Sequence, residues 1–130
     1  MIGLDTTAII DLLRKDTKVK RKLEELQGPF GTTIMNYQEI MFGLDFKNPK
    51  HKQEEMIYDQ LFDELFVFPL DKASAKCATD IGWELKEKGE EIGKFDIIIA
   101  SILLTQGIKK IMTRNVAHLK RIPGIEVVSY

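Results

Sequence analysis

The residues of this chain most suited to chemistry are three acids and one amide: Asp5, Glu39, Asp96 and Asn115. They are far apart in the sequence, but each is predicted to lie where an apolar, strand-like run gives way to a helix. In an open parallel sheet such junctions share one edge, which is where ligands bind. Carboxylate and amide oxygens are the ligands that the hard cations Mg²⁺ and Mn²⁺ prefer. The sequence therefore predicts a metal site at one edge of a sheet.

Each of these residues also has a purely structural interpretation. Asp5 is placed to cap the first helix, and Asp96 lies in a first helical turn, where the macrodipole favours an anion. Asn36 and Glu39 have the three-residue spacing of a capping box, and Asn115 is of a type that caps helices. Against these interpretations, no Lys or Arg is adjacent to the three acids, so a shared cation would relieve their mutual repulsion.

The elements that would position these side chains are short strands that alternate with helices. Strands are predicted at Met1–Leu4, Phe30–Ile34, Phe66–Phe68, Ile111–Thr113 and Glu126–Ser129. Helices are predicted at Thr6–Arg14, Asp16–Leu26, from Asn36 as cap to Leu44, Lys50–Leu65, Asp71–Lys88, Phe95–Thr105 and Val116–Arg121. The helix from Phe95 is apolar almost all round, so it is predicted to be buried and to end before Gly107. The pattern indicates an α/β fold of three layers, α/β/α, with a central, mostly parallel sheet of about five short strands.

Composition sets the remaining bounds. The chain has 130 residues, 44% hydrophobic and 30% charged, which is typical of one globular domain over residues 1–130. Its net charge of −1 gives no general attraction to nucleic acid. The single cysteine, Cys77, cannot form an intramolecular disulfide. This, with the lack of a signal-like start or an apolar run of about 20 residues, predicts a cytoplasmic protein without a membrane segment.

Several other kinds of site are disfavoured. Zinc is unexpected because there is one cysteine and two histidines, His51 and His118, without paired spacing. No GxSxG elbow supports a serine triad, and no glycine-rich loop supports a nucleotide phosphate site. His118 is predicted to be a helix-surface or packing residue.

Four segments together resemble the motifs of PIN-domain nucleases, in particular the VapC-type toxins of toxin–antitoxin pairs. They are the run from Leu4 to Leu13, Thr32-Thr33-Ile34 followed by Glu39, Gly93 to Ala100, and Thr113 to Leu119. The order and spacing of these segments cover essentially the whole chain.

The resemblance implies a ribonuclease that depends on Mg²⁺ or Mn²⁺ and holds the metal with Asp5, Glu39 and Asp96. The fourth position of the family is often Asp and is Asn115 here, which brings no charge and puts a second metal in doubt. The resemblance also places Thr6 and Thr113 at hydroxyl positions that support the acids. Arg114 is either a contact for substrate phosphate or a surface arginine near a strand end.

The resemblance further implies a homodimer and a small antitoxin partner. Aromatic residues are concentrated in the middle helices: Phe42, Phe46, Tyr58, Phe62 and Phe66. They form either part of the core or a groove for an antitoxin helix.

Two other functions compete with the nuclease. The first is a PIN-like module that binds RNA or protein and is catalytically incomplete because of Asn115. The second is a receiver-like phosphoacceptor domain, which also places acids at strand ends. A receiver needs an acidic pair soon after the first strand and a Lys after the last strand. This chain has Asp11 within a helix and no such Lys, so this reading is disfavoured.

Overall fold

The computed structural model describes residues 1–130, which form five strands and seven helices. In chain order they are β1 (Ile2–Leu4), α1 (Thr6–Leu13), α2 (Thr17–Leu26), β2 (Phe30–Thr33), α3 (Ile34–Phe42), α4 (Pro49–Asp63), β3 (Phe66–Phe68), α5 (Lys72–Glu87), α6 (Lys94–Thr105), β4 (Lys110–Met112), α7 (Val116–Leu119) and β5 (Glu126–Val128). The five predicted strands all form, with ends within one residue of the prediction. None of the helices has both the length and the apolar content that crossing a membrane requires.

The five strands form one sheet in the order β3-β2-β1-β4-β5, and every neighbouring pair is parallel. The predicted α/β fold with a mostly parallel sheet is therefore confirmed. β1 is central, with Gly3 opposite Gly31 of β2 on one side and Ile111 of β4 on the other. Asp5 follows this central strand directly, so its side chain starts at the middle of the carboxyl edge of the sheet.

Helices cover both faces of the sheet and make the predicted three layers. Successive strand residues face opposite sides of a sheet, and the neighbours Ile111 and Met112 belong to two different hydrophobic clusters. The cluster around Ile111 contains residues of α5, α6 and α7, and the cluster around Met112 contains residues of α1, α2, α3 and α4. The close approach of α6 to β1 needs a glycine, because a Cβ on Gly3 would lie 2.7 Å from Leu103 Cδ1.

The start of α3 differs from the prediction. Asn36 was expected to cap this helix, but the helix begins at Ile34 and its N-cap is Thr33, the last residue of β2. The Thr33 hydroxyl accepts from the backbone N–H groups of Met35 and Asn36, and the Asn36 side chain accepts from the Thr33 N–H, which is a capping box. Because the last strand residue supplies the cap, the chain turns into the helix without a loop, and Asn36 becomes fully buried.

The predicted position of Asp96 after a strand is also wrong. α5 runs into a short loop and then into α6, so no strand precedes this helix. The buried character of α6 is confirmed, since six consecutive or near-consecutive residues are buried, Ile97 and Ile99 to Leu103. Gly107 has a φ of 78° directly after the C-cap Gln106, as predicted for the residue that ends the helix. Packing of α5 against α6, rather than a strand, brings Asp96 to the sheet edge.

Candidate active site

Asp5 is the most buried of the predicted acids, at 7% exposure. It caps α1, with Oδ1 accepting from the Ala8 N–H at 3.1 Å and from the Thr7 hydroxyl at 2.7 Å. Its other oxygen, Oδ2, accepts from the Thr113 hydroxyl at 2.5 Å. Burial raises the pKa of Asp5, these hydrogen bonds oppose the rise, and the charge of Asp96 adds to it. Asp5 therefore caps α1 as predicted, through Oδ1, while Oδ2 is bonded to Thr113.

Glu39 is held by a chain of side-chain hydrogen bonds and not by a capping box, so that structural interpretation is wrong. Its Oε1 accepts from the Thr6 hydroxyl at 2.7 Å, and the same hydroxyl accepts from Nδ2 of Asn36 at 3.1 Å. Because Asn36 donates to Thr6, the single hydroxyl proton of Thr6 is directed at Glu39. Burial raises the pKa of Glu39, the bond from Thr6 lowers it, and the charges of Asp96 and Asp5 raise it.

Asp96 lies in the first turn of α6 with its side chain 26% exposed. Its Oδ2 is 3.6 Å from Nδ1 of His118. Burial raises the pKa of Asp96, and the nearby imidazole of His118 opposes the rise. None of Asp5, Glu39 and Asp96 forms an ion pair with Lys or Arg.

The four predicted residues meet at one small cavity of ≈ 140 Å³. It is lined by Asp5, Thr6, Thr7, Glu39, Asp96, Ile99, Asn115 and Leu119. A larger cavity of ≈ 540 Å³ lies against α5 and α6 and contains none of the three acids, being lined mainly by hydrophobic residues. The four predicted residues therefore lie together at the smaller cavity, and their chemical roles stay predictions.

The donor set of this cavity suits a hard divalent cation. It offers carboxylate, hydroxyl and amide oxygens, and its three acids are held without a basic partner from Lys or Arg, so positive charge is what the site lacks. As the side chains stand, no group of three or more His, Cys, Asp or Glu is gathered closely enough to hold a metal ion. Mutual repulsion explains this spacing, because bringing uncompensated carboxylates together is unfavourable until a cation is shared.

The remaining predicted residues lie in the segment after β4. Thr113 is fully buried and bonds Asp5, and its hydroxyl also accepts from the Asn115 N–H at 2.8 Å. Asn115 occupies the N-cap of α7, but its side chain makes no cap hydrogen bond, and its Nδ2 lies 3.2 Å from Nδ1 of His118. Arg114 turns away from the acids, with Nε 3.1 Å from Oδ2 of Asp11. Asn115 therefore has the predicted N-cap position without a capping bond from its side chain, and Arg114 is a surface arginine that is paired with Asp11.

Sequence reasoning missed several supporting residues. Thr7 and Asn36 orient the acids, yet their types are ordinary for a first helical turn. The predicted surface position of His118 holds, with 48% of its side chain exposed, but it also contacts Asp96 at the cavity rim. The sequence did contain a signal for Asp11: an acid among the apolar residues of α1 is expected to be buried, and a buried acid needs a partner.

Comparison with known proteins identifies the family. A model of the PIN domain matches residues 2–125 of this chain. The tRNA(fMet)-specific endonuclease VapC of Shigella flexneri is 24% identical to it over 123 residues, 94% of this chain and 92% of that protein. The fold matches VapBC2 from Rickettsia felis, bound to a DNA fragment from their promoter, with a TM-score of 0.87 and 22% identity over 100% of this chain and 99% of that chain.

DNA-bound VapBC from Salmonella typhimurium has the same fold, with a TM-score of 0.85 and 22% identity over 98% of this chain and 96% of that chain. The family model spans nearly the whole chain and includes all four predicted site residues. The family predicted from the motifs is therefore confirmed: the chain belongs to the PIN domain family.

Proposed function

We propose that this chain is a ribonuclease dependent on Mg²⁺ or Mn²⁺ and the toxin of a type II toxin–antitoxin pair. The observation that carries the proposal is the group of three half-buried or buried acids, all with raised pKa and none paired with Lys or Arg, around one cavity at the sheet edge. Burial raises the pKa of all three, nearby acids add to the rise at Asp5 and Glu39, and shifted pKa values in a cleft mark a candidate functional site. The similarity to an endonuclease that acts on tRNA(fMet) supports RNA as the substrate class.

In this proposal Asp5, Glu39 and Asp96 hold the metal, and Asn115 contributes a neutral amide beside it. A bound cation supplies charge on the scissile phosphate and lowers the pKa of a water molecule. The protein's own part is to keep the ligands in place. Thr113 and Thr7 fix both oxygens of Asp5, and Thr6 fixes one oxygen of Glu39, which leaves Oε2 of Glu39 to turn toward the cation.

The neutral side chain of Asn115 favours a second candidate function. In this candidate the chain is a PIN-like module that binds RNA or protein without cutting RNA, because its site is catalytically incomplete. Three carboxylates still provide enough negative charge for one divalent cation, so we favour the enzyme with a single metal. Cleavage of RNA separates the two candidates directly.

The proposed antitoxin partner has a candidate surface on the middle helices. Of the five predicted aromatic residues, Phe62 is buried at 6% exposure and Tyr58 is partly buried, whereas Phe42, Phe46 and Phe66 are 72%, 48% and 55% exposed. Phe42 is the last residue of α3 and Phe46 follows in the loop before α4, and aromatic residues are enriched at protein interfaces. We propose that an antitoxin helix covers Phe42 and Phe46, and that an Arg from the same partner enters the acidic cavity, since an Arg fork matches carboxylates. A homodimer and a cytoplasmic location complete the proposal.

The test is cleavage of single-stranded RNA in Mg²⁺, with EDTA as the blank. Asp96→Ala should abolish cleavage and Glu39→Gln should reduce it strongly, because each removes a metal ligand. Asp80→Ala is the matched control, since Asp80 is an exposed aspartate on α5, outside the cavity. Cleavage by a folded Asp96→Ala protein at the wild-type rate would contradict the assignment. A folded wild type that binds RNA and does not cut it would favour the second candidate.

A further inference from the structure

One buried carboxylate takes no part in the acidic cavity. Asp11 lies in the second turn of α1 and is 5% exposed. An ionised carboxylate at this depth lowers stability unless it is paired. Its Oδ2 accepts a hydrogen bond from the Tyr130 hydroxyl at 2.5 Å and lies 3.1 Å from Nε of Arg114. Both partners come from the far end of the sequence, so the folded chain has built this arrangement around Asp11.

Arg114 is fixed from two directions. Its backbone N–H donates to the Thr7 hydroxyl at 2.9 Å, and that hydroxyl donates to Asp5 at 2.7 Å. The next residue, Asn115, lines the acidic cavity. The backbone of Arg114 is therefore attached to the cavity, while its side chain is attached to Asp11 further along α1.

The guanidinium of Arg114 keeps most of its hydrogen-bonding capacity free. It has five N–H donors in one plane, and the only side-chain contact is from Nε to Asp11. The side chain is 57% exposed, and its terminal nitrogens have no hydrogen bond or ion pair within the protein. Asp11 is six residues beyond Asp5, which on a helix is a displacement of about 9 Å. That displacement fits a phosphate one or two nucleotides away from the one at the cavity.

We propose that Asp11 is a positioning residue, which holds Arg114 so that its terminal nitrogens bind a substrate phosphate flanking the scissile one. This inference rests on the proposed function and adds to it a second point of contact with the RNA strand. The held guanidinium loses less conformational freedom on binding than a free one, so it binds phosphate more tightly. The Tyr130 hydroxyl donates to the same oxygen, Oδ2 of Asp11, that faces Nε of Arg114, so it helps to fix the position of that oxygen.

The experiment is a double-mutant cycle on KM for single-stranded RNA in Mg²⁺, with Asp11→Asn, Arg114→Ala and the double variant. Asn retains an oxygen for the Tyr130 hydroxyl and removes the charge that orients Arg114. Arg114→Ala should raise KM about tenfold with kcat unchanged, as expected for one charge-assisted hydrogen bond. It should also reduce the slope of log KM against log salt by about 0.7, the value for one phosphate contact on a single strand. Arg21→Ala, an exposed arginine on α2, is the control for loss of one positive charge.

Asp11→Asn should raise KM about threefold alone and should have no further effect once Arg114 is absent. A purely structural role gives a different result, because partial unfolding lowers the apparent kcat and leaves KM unchanged. Equal KM effects of Asp11→Asn with and without Arg114, or no KM effect at all, would overturn the inference while leaving the ribonuclease intact. A wild type that does not cut RNA would overturn the proposed function and this inference with it.

Discussion

Replacing Thr113 by Val tests whether the folded protein holds Asp5 as an ionised carboxylate under strain. The Thr113 hydroxyl is fully buried, donates to Asp5 at 2.5 Å and accepts from the Asn115 N–H at 2.8 Å. Valine has the same shape and loses both bonds. A hydrogen bond to a charged group contributes about 1.5–3 kcal/mol and a neutral one about 1 kcal/mol. The free energy of unfolding should therefore fall by about 3 kcal/mol at pH 7 without divalent metal.

The size of this loss should depend on pH. Burial raises the pKa of Asp5 above its ordinary value of 3.8, and the bond from Thr113 opposes the rise. A raised carboxyl pKa means that the folded protein binds the proton more tightly than the unfolded chain. The free energy of unfolding of the wild type should thus fall as pH rises from 3.8 through the raised pKa. Without the Thr113 hydroxyl the pKa of Asp5 rises further, so the free energy of unfolding of the variant should fall more with rising pH than that of the wild type. Below pH 3.8, and therefore below the raised pKa, the carboxyl of the folded protein takes up a proton, and the loss should shrink to about 1–2 kcal/mol.

Urea unfolding in EDTA at both pH values measures the effect. Thr32→Val is the matched control, because the Thr32 hydroxyl is equally buried but donates to the neutral carbonyl of Leu4 at 2.9 Å. This control should lose about 1 kcal/mol at either pH. The reasoning is refuted if Thr113→Val loses the same free energy at both pH values, or if both variants show the same pH trend.

Three further outcomes are expected. In differential scanning fluorimetry, Mn²⁺ should raise the melting temperature of the wild type and leave that of Asp96→Asn unchanged. An equal rise in the variant would mean that the ion binds elsewhere. Thr6→Val removes the hydroxyl that orients Glu39, so kcat for RNA should fall at least about tenfold with KM little changed, and a wild-type kcat would show that Glu39 needs no orientation. Phe62→Ala should lower the free energy of unfolding by about 3–5 kcal/mol in urea melts, and Phe42→Ala by less than about 0.5 kcal/mol. In pull-downs, Phe42→Ala should still weaken antitoxin binding, and unchanged binding would exclude this surface.

The sequence was sufficient for the fold, because the fold depends on local patterns, and it predicted that the three acids meet, as they do at the smaller cavity. Five short apolar runs separated by helical spacing specify a parallel sheet, and residues at the ends of its strands must share an edge. Residue spacing alone was insufficient for the contacts that orient the acids, and only the family resemblance pointed to Thr6 and Thr113. The pairs Thr113 with Asp5 and Thr6 with Glu39 join residues 108 and 33 positions apart, so they follow from packing and not from spacing. The position of Asp96 also follows from packing, because α5 and α6 pack as a pair and so bring Asp96 to the sheet edge.

The central place of β1 has a consequence for the order in which the chain is synthesised. The first strand gains its second neighbour only when residues 110–112 of β4 are available, and Asp5 gains Thr113 only one residue later. In a nascent chain that stops before this point, β1 is an edge strand with no partner on its β4 side. Its cavity also lacks the wall formed by Asn115. The long sequence separation of these contacts makes their pairing a late and slow step. The cavity that holds the proposed metal ligands is thus completed only after almost all of the chain has been synthesised.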